Sequence, residues 1–157
     1  GWLLTGHRSI ARVSESRMMY SASEGETVRV PILDTYLGAG AGGEPSDVIV
    51  ARGEFMRRWL RREAGVDPDR AFVIEIRGRS MEGWANDRDL VLGERVDAIT
   101  RDDIYAVELH GELMVKHGLR REDRVILRSE NPRYDDIVVE DSDDFRVLGR
   151  IARRIVP

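Results

Sequence analysis

The apolar positions of this chain fall mainly into short runs separated by turn residues, the pattern of a sheet protein. Thr27 to Leu33 (Thr-Val-Arg-Val-Pro-Ile-Leu) reads as an extended run. Pro31 has no N–H to give a ladder, so it assigns this run to a sheet edge or a strand start. Further on, Phe72, Ile74 and Ile76 alternate with Val73, Glu75 and Arg77, the period of a half-buried strand. Leu90–Leu92, Ile104–Leu109, Glu112–Lys116, Arg124–Arg128, Ile137–Val139 and Phe145–Ile151 follow as further strands, with His110-Gly111 as a hairpin turn. One segment has helical spacing instead. From Glu54 to Ala64, the residues Phe55, Met56, Trp59, Leu60 and Ala64 make an apolar stripe, and Gly65 can end the helix. Arg57, Arg58, Arg61 and Arg62 lie largely on its other faces, as a solvated surface rather than a nucleic-acid contact. The pattern predicts a mostly β protein, a partial barrel of several short strands with one amphipathic helix.

The periodicity also divides the chain. Residues 1–7 are apolar up to a glycine and read as the end of a helix, the tail of a missing N-terminal domain. Residues 8–26, rich in Ser, Arg and Glu, read as a linker. Residues 27–157 form the domain proper. Within it, Leu37-Gly-Ala-Gly-Ala-Gly-Gly43 offers almost no side chains to pack. It is either a flexible loop or a segment that must enter a narrow groove.

Composition narrows the chemistry. Hydrophobic residues make up 41% and charged residues 34%, enough for a core beneath a highly charged surface. With no cysteine there is neither a disulfide framework nor thiolate chemistry, and no apolar run reaches the length of a membrane span. The expected compartment is the cytoplasm. The net charge of −4 supplies no basic surplus for holding DNA. His7, His110 and His117 lack metal-ligand spacing, and no phosphate-cradling glycine motif is present, so neither metal nor cofactor is expected. The acidic pairs Asp102/Asp103, Asp135/Asp136 and Asp143/Asp144 read as turn and surface residues.

Two residues stand out. Of the 25 basic residues, 24 are arginine, and Lys116 is the single lysine. A buried lysine can lose its proton and act as a base, which arginine cannot do. The alternative is one lysine surviving drift. Ser80, in Gly78-Arg79-Ser80-Met81, follows a strand, and the glycine lets the backbone turn tightly. Such a position exposes a hydroxyl near free N–H groups, as an oxyanion hole requires. The alternative is an ordinary loop serine.

Val30-Pro31-Ile32-Leu33-Asp34, Ala39-Gly40, Gly78-Arg79-Ser80-Met81-Glu82, Asp87-Arg88-Asp89-Leu90-Val91-Leu92, Glu112-Leu113-Met114-Val115-Lys116 and Ser129-Glu130-Asn131-Pro132-Arg133-Tyr134 together resemble the LexA/CI/UmuD family of Ser-Lys self-cleaving peptidases in order and spacing. Trp2-Leu3-Leu4-Thr5-Gly6 resembles the segment that closes the helix-turn-helix domain of phage-type repressors. The resemblance implies the C-terminal, autoproteolytic and dimerising domain of a transcriptional repressor of the DNA-damage (SOS) response. It implies Ser80 as nucleophile, neutral Lys116 as general base, and the backbone N–H groups of Ser80 and Met81 as oxyanion donors. The bond cut would be Ala39–Gly40, with Ala41–Gly42 as the alternative. Its partners would be a second copy, an activating RecA filament on single-stranded DNA, and operator DNA through the missing N-terminal domain. Two other readings compete: a dimerisation module with a vestigial dyad, and a signal-peptidase-like enzyme, which would need a membrane anchor. The sequence departs from the family at Arg88, where a glycine is usual, at Gly83 for proline, and at His117 for arginine.

Overall fold

A computed structural model describes residues 26–34 and 49–155. Nine strands make one sheet: β1 (Thr27–Asp34), β2 (Ile49–Met56), β3 (Ala71–Glu75), β4 (Leu90–Arg95), β5 (Asp103–Leu109), β6 (Glu112–Arg121), β7 (Arg124–Arg128), β8 (Ile137–Val139) and β9 (Phe145–Ile155). Their spatial order is β2-β1-β3-β4-β9-β5-β6-β7-β8. Only β1 and β3 run parallel; every other neighbouring pair is antiparallel. Among the described residues no pairing joins β2 to β8, so the sheet is a partial barrel at most. The expected mostly β architecture is present. The N-terminal stump at 1–7, nearly all of the 8–26 linker and both Ala–Gly bonds lie outside the described residues.

The helical expectation needs correction. Glu54–Met56 belong to β2, which pairs along β1 from Thr27↔Met56 to Leu33↔Ile49. Helical structure is confined to a π-type stretch, Trp59–Glu63, in which the N–H of Ala64 reaches back to the carbonyl of Trp59 at 3.0 Å. The apolar stripe is nevertheless real. Phe55 from the strand and Leu60 from the helical turn enter one core cluster with Val30, Val66, Val73 and Leu92, and Trp59 packs against it. The stripe crosses a change of backbone, because strand and turn face the same core there.

Three strand expectations also shift. β1 is not an edge strand, since β3 pairs with it at Ile32–Asp34; Pro31 sits just before that pairing begins, where no donor is required. β3 is buried on both faces rather than one. Phe72, Ile74 and Ile76 enter a second cluster with Met81, Val91 and Val115, while Ala71 and Val73 enter the first. Lys116 does not end its strand, because β6 continues to Arg121.

The middle of the sheet depends on one aromatic ring. Gly93 of β4 and Gly149 of β9 present bare backbone to Phe72; a Cβ on Gly149 would lie 2.3 Å from its ring and 2.6 Å from the Glu94 carbonyl oxygen. Backbone cannot move aside as a flexible side chain can. We expect Gly149→Ala to destabilise the fold by about 1–3 kcal/mol and Phe72→Ala by about 3–5 kcal/mol. Urea unfolding with an unchanged m-value checks both, and a neutral Gly149→Ala would refute the close-packing account.

Candidate functional site

The chain leaves β3 at Glu75 and runs through Ile76–Ser80 as one wall of a pocket of about 410 Å3. The other wall is Glu112–Lys116 of β6, and Tyr134 and Ile137 contribute from a third side. Ser80 and Lys116, 36 residues apart in sequence, thus line the same pocket. β6 is paired on both sides only from His117 onward, to β5 and β7; between Glu112 and Lys116 it is laddered to β5 alone among the described strands. The pocket therefore has an open strand edge along one wall.

The Ser80 wall is fixed by its turns. Ile76 exchanges backbone hydrogen bonds with the Arg88–Asp89 turn, at 2.8 and 2.6 Å. The Gly78 N–H donates to the Asp87 carboxylate at 2.7 Å, with Gly78 at φ +88°. After Ser80 the chain coils: the Glu82 N–H bonds the Arg79 carbonyl and the Ala85 N–H the Met81 carbonyl, while the Met81 side chain is buried. No described group accepts from the N–H of Ser80 or Met81. Both expected oxyanion donors are therefore available at the pocket.

Lys116 is 8% exposed, and burial pushes its ammonium below the ordinary lysine value, opposed by the nearby Glu112 carboxylate. Its Nζ donates to Ser129 Oγ at 2.8 Å and lies 5.6 Å from the centre of the Tyr134 ring. Ser129 is itself buried. Lys116 and Ser80 make no hydrogen bond to each other; the partner of the lysine is Ser129.

Ser129 carried no chemical role in the sequence reading, nor did its neighbours. Asn131 donates its backbone N–H to the Ser80 carbonyl and its side-chain amide to the Arg79 carbonyl, both at 3.0 Å. Glu130 reaches His117 Nε2 at 2.6 Å, and its Cγ packs over Gly83. Thus Ser129–Asn131 ties the lysine strand to the serine turn. The signal for Ser129 was the β6–β7 hairpin. Its register, Arg121↔Arg124 to His117↔Arg128, carried one step further sets Ser129 against Lys116.

The other sequence candidates scatter. His110 meets Asp143 at 2.9 Å at a hairpin far along the sheet, and Asp102 pairs with Arg121 and Asp136 with Arg128. Among the described residues no group of acidic, His or Cys side chains gathers as metal ligands, and no helix is long and apolar enough to cross a membrane.

Arg88, where the family resemblance led one to expect glycine, has a positive φ of 75°. A side chain in that conformation costs about 1–2 kcal/mol. We expect Arg88→Gly to stabilise the domain by about 0.5–1 kcal/mol after the extra chain entropy of glycine is subtracted, measured by urea unfolding.

Residues 31–152 match the Peptidase S24-like family. A LexA repressor of Bordetella parapertussis is 32% identical over 96 residues, covering 57% of this chain and 44% of that protein. A LexA repressor of Oleidesulfovibrio alaskensis is 30% identical over 128 residues, 81% of this chain and 58% of that protein. A third, from Parafrankia sp., is 36% identical over 81 residues, 51% of this chain and 31% of that protein. The chain spans about half the length of the relatives it matches most extensively.

Proposed function

The chain belongs to the Peptidase S24-like family, and from that premise we propose that it is the self-cleaving domain of a LexA-like repressor, with Ser80 as nucleophile and Lys116 as general base. The observation that carries this reading is a buried lysine of depressed basicity in one pocket with a serine whose turn leaves two N–H groups unused. Neutral Lys116 takes the proton from Ser80 Oγ, which attacks the carbonyl carbon of Ala39. The N–H groups of Ser80 and Met81 hold the oxyanion. Collapse breaks the C–N bond, Lys116 returns its proton to the amine of Gly40, and water then releases the acyl group from Ser80.

The chain's own route favours an intramolecular substrate. β1 ends at Asp34, level with Glu75 in a parallel pair, and the residue after Glu75 is the first of the pocket wall. Continuing this register by five residues on each chain reaches Ala39 and Ser80, which favours Ala39–Gly40 over Ala41–Gly42 as the bond cut. An extended segment entering there meets the open edge of β6 and can complete its ladder, the usual way a sheet holds a peptide. Alanine and glycine flank the bond because a backbone-reading groove has little room for side chains.

On this reading Ser129 holds one N–H of the lysine and leaves its lone pair for Ser80. Cleavage separates an N-terminal operator-binding part from a dimerising C-terminal part, with a RecA filament on single-stranded DNA as the activator. One observation favours a second reading, a non-cleaving dimerisation module: Lys116 is bonded to Ser129 and not to Ser80.

Incubation of the chain at rising pH separates the two readings. The first predicts fragments 1–39 and 40–157, absent in Ser80→Ala and in Lys116→Arg, which keeps a charge that cannot be lost. An intact chain at alkaline pH, or equal cutting in Lys116→Arg, would support the second. The active form of Lys116 is the neutral amine, and burial lowers its pKa. The rate should therefore rise with pH through a midpoint below the ordinary lysine value and then level off. Glu112 raises that pKa, so Glu112→Gln should move the midpoint down and speed cleavage at neutral pH, with the alkaline plateau unchanged. A midpoint that does not move would exclude Glu112 as a regulator of the base.

A further inference from the structure

Beyond Ser80 the pocket continues into a second hollow of about 620 Å3, lined by Arg79, Glu82, Asn131, Arg133 and Tyr134. Arg79 and Tyr134 line both, so the two form one groove. Its two halves differ. The first lies between Ile76–Arg79 and Glu112–Val115 and is walled by Ile76, Leu113, Met114 and Val115, along with charged residues at its mouth. The second carries two arginines against one carboxylate. Arg79 is 76% exposed and holds Glu82 only loosely, at 3.6 Å. A pair so exposed is weak and can exchange partners at small cost.

The segment between β1 and β2 is divided in the same way. Residues 35–48 contain no basic side chain. The part up to Ala41 is uncharged, and the acidic residues Glu44 and Asp47 both follow the Ala–Gly bonds. Four residues separate Gly40 from Glu44, a reach of up to about 14 Å when extended, to which an arginine side chain adds its own length.

We propose that Arg79 and Arg133 are specificity-determining residues that capture the acidic stretch on the carboxyl side of the scissile bond, Glu44 foremost. The assignment rests on the self-cleavage reading and adds to it a direction of threading. The uncharged stretch lies between the two strand walls, the Ala–Gly bond stands at Ser80, and the acidic stretch passes over the arginines. The arginines act on the approach of the bond and not on its chemistry. Their contribution therefore falls with salt, and reversal on both sides restores it.

Self-cleavage of the full chain is followed at one alkaline pH in low salt. Arg79→Glu with Arg133→Glu is expected to slow cutting about tenfold, and Glu44→Arg with Asp47→Arg about as much. The four substitutions together are expected to recover most of the lost rate, which a merely structural role of the arginines would not allow. Arg124→Glu, on β7, serves as the control for net charge and should leave the rate unchanged. Wild-type cutting should slow as salt rises, and the arginine double variant should be nearly indifferent to it. An unaltered rate in the arginine variant, or no recovery on combining the reversals, overturns the proposal. A second measurement stands apart from the chemistry. In the Ser80→Ala chain, the amide resonances of residues 40–47 should move on reversal of the two arginines, and unmoved resonances overturn the proposal as well. A wild-type chain that never cuts, yet whose Ser80→Ala form shows those shifts, would overturn only the self-cleavage reading.

Discussion

The hydrogen bond from Lys116 Nζ to Ser129 Oγ, 2.8 Å long between two buried side chains, is the contact on which the site depends. An amine withdrawn from water loses hydration that the protein must replace, and an unpartnered buried donor costs about 1–3 kcal/mol. Here the replacement is one hydroxyl and one aromatic face, with no carboxylate in direct contact. That choice matters chemically. A carboxylate partner would have held the proton on the lysine; a hydroxyl satisfies a donor without adding charge. The sheet therefore tolerates the amine and still leaves it easier to deprotonate than a lysine in water.

The same short segment acts twice. Ser129 faces the lysine, and two residues later Asn131 binds the carbonyls of Arg79 and Ser80. The serine turn and the lysine strand come from distant parts of the chain, and neither touches the other through a hydrogen bond. Their spacing is set by a third element that grips both. Tyr134, whose N–H caps the turn that starts at Asn131, completes the arrangement by placing its ring beside the amine.

Much of this was legible in the sequence, for identifiable reasons. Arg124–Arg128 and Ile137–Val139 were read with the boundaries that the sheet has, because turn residues bracket them closely. The lysine was legible because an arginine-rich composition left it alone. The helix at Glu54–Ala64 was misread because periodicity reports which side chains face the core, and strand and helical turn here share one core. The partner of the lysine was hidden by a boundary error. Ending β6 at Lys116 removed the hairpin whose turn, with Glu122 at φ +57°, sets residues 116 and 129 side by side. The sheet order, with β9 inserted between β4 and β5, was beyond reach, since local pattern does not say which strands meet.

The half-laddered state of β6 has a further consequence. From His117 to Arg121 its main-chain groups are shared with two neighbours, and from Glu112 to Lys116 with one. A surface made of such vacant amides and carbonyls recognises the peptide unit, which every residue has in common. It discriminates by bulk and by backbone freedom, refusing proline and crowding branched side chains. A segment answering to it can drift widely in composition as long as it stays slim. Over evolutionary time, then, the residues around the serine and lysine are held tightly, while the stretch that visits them is constrained mainly in its width.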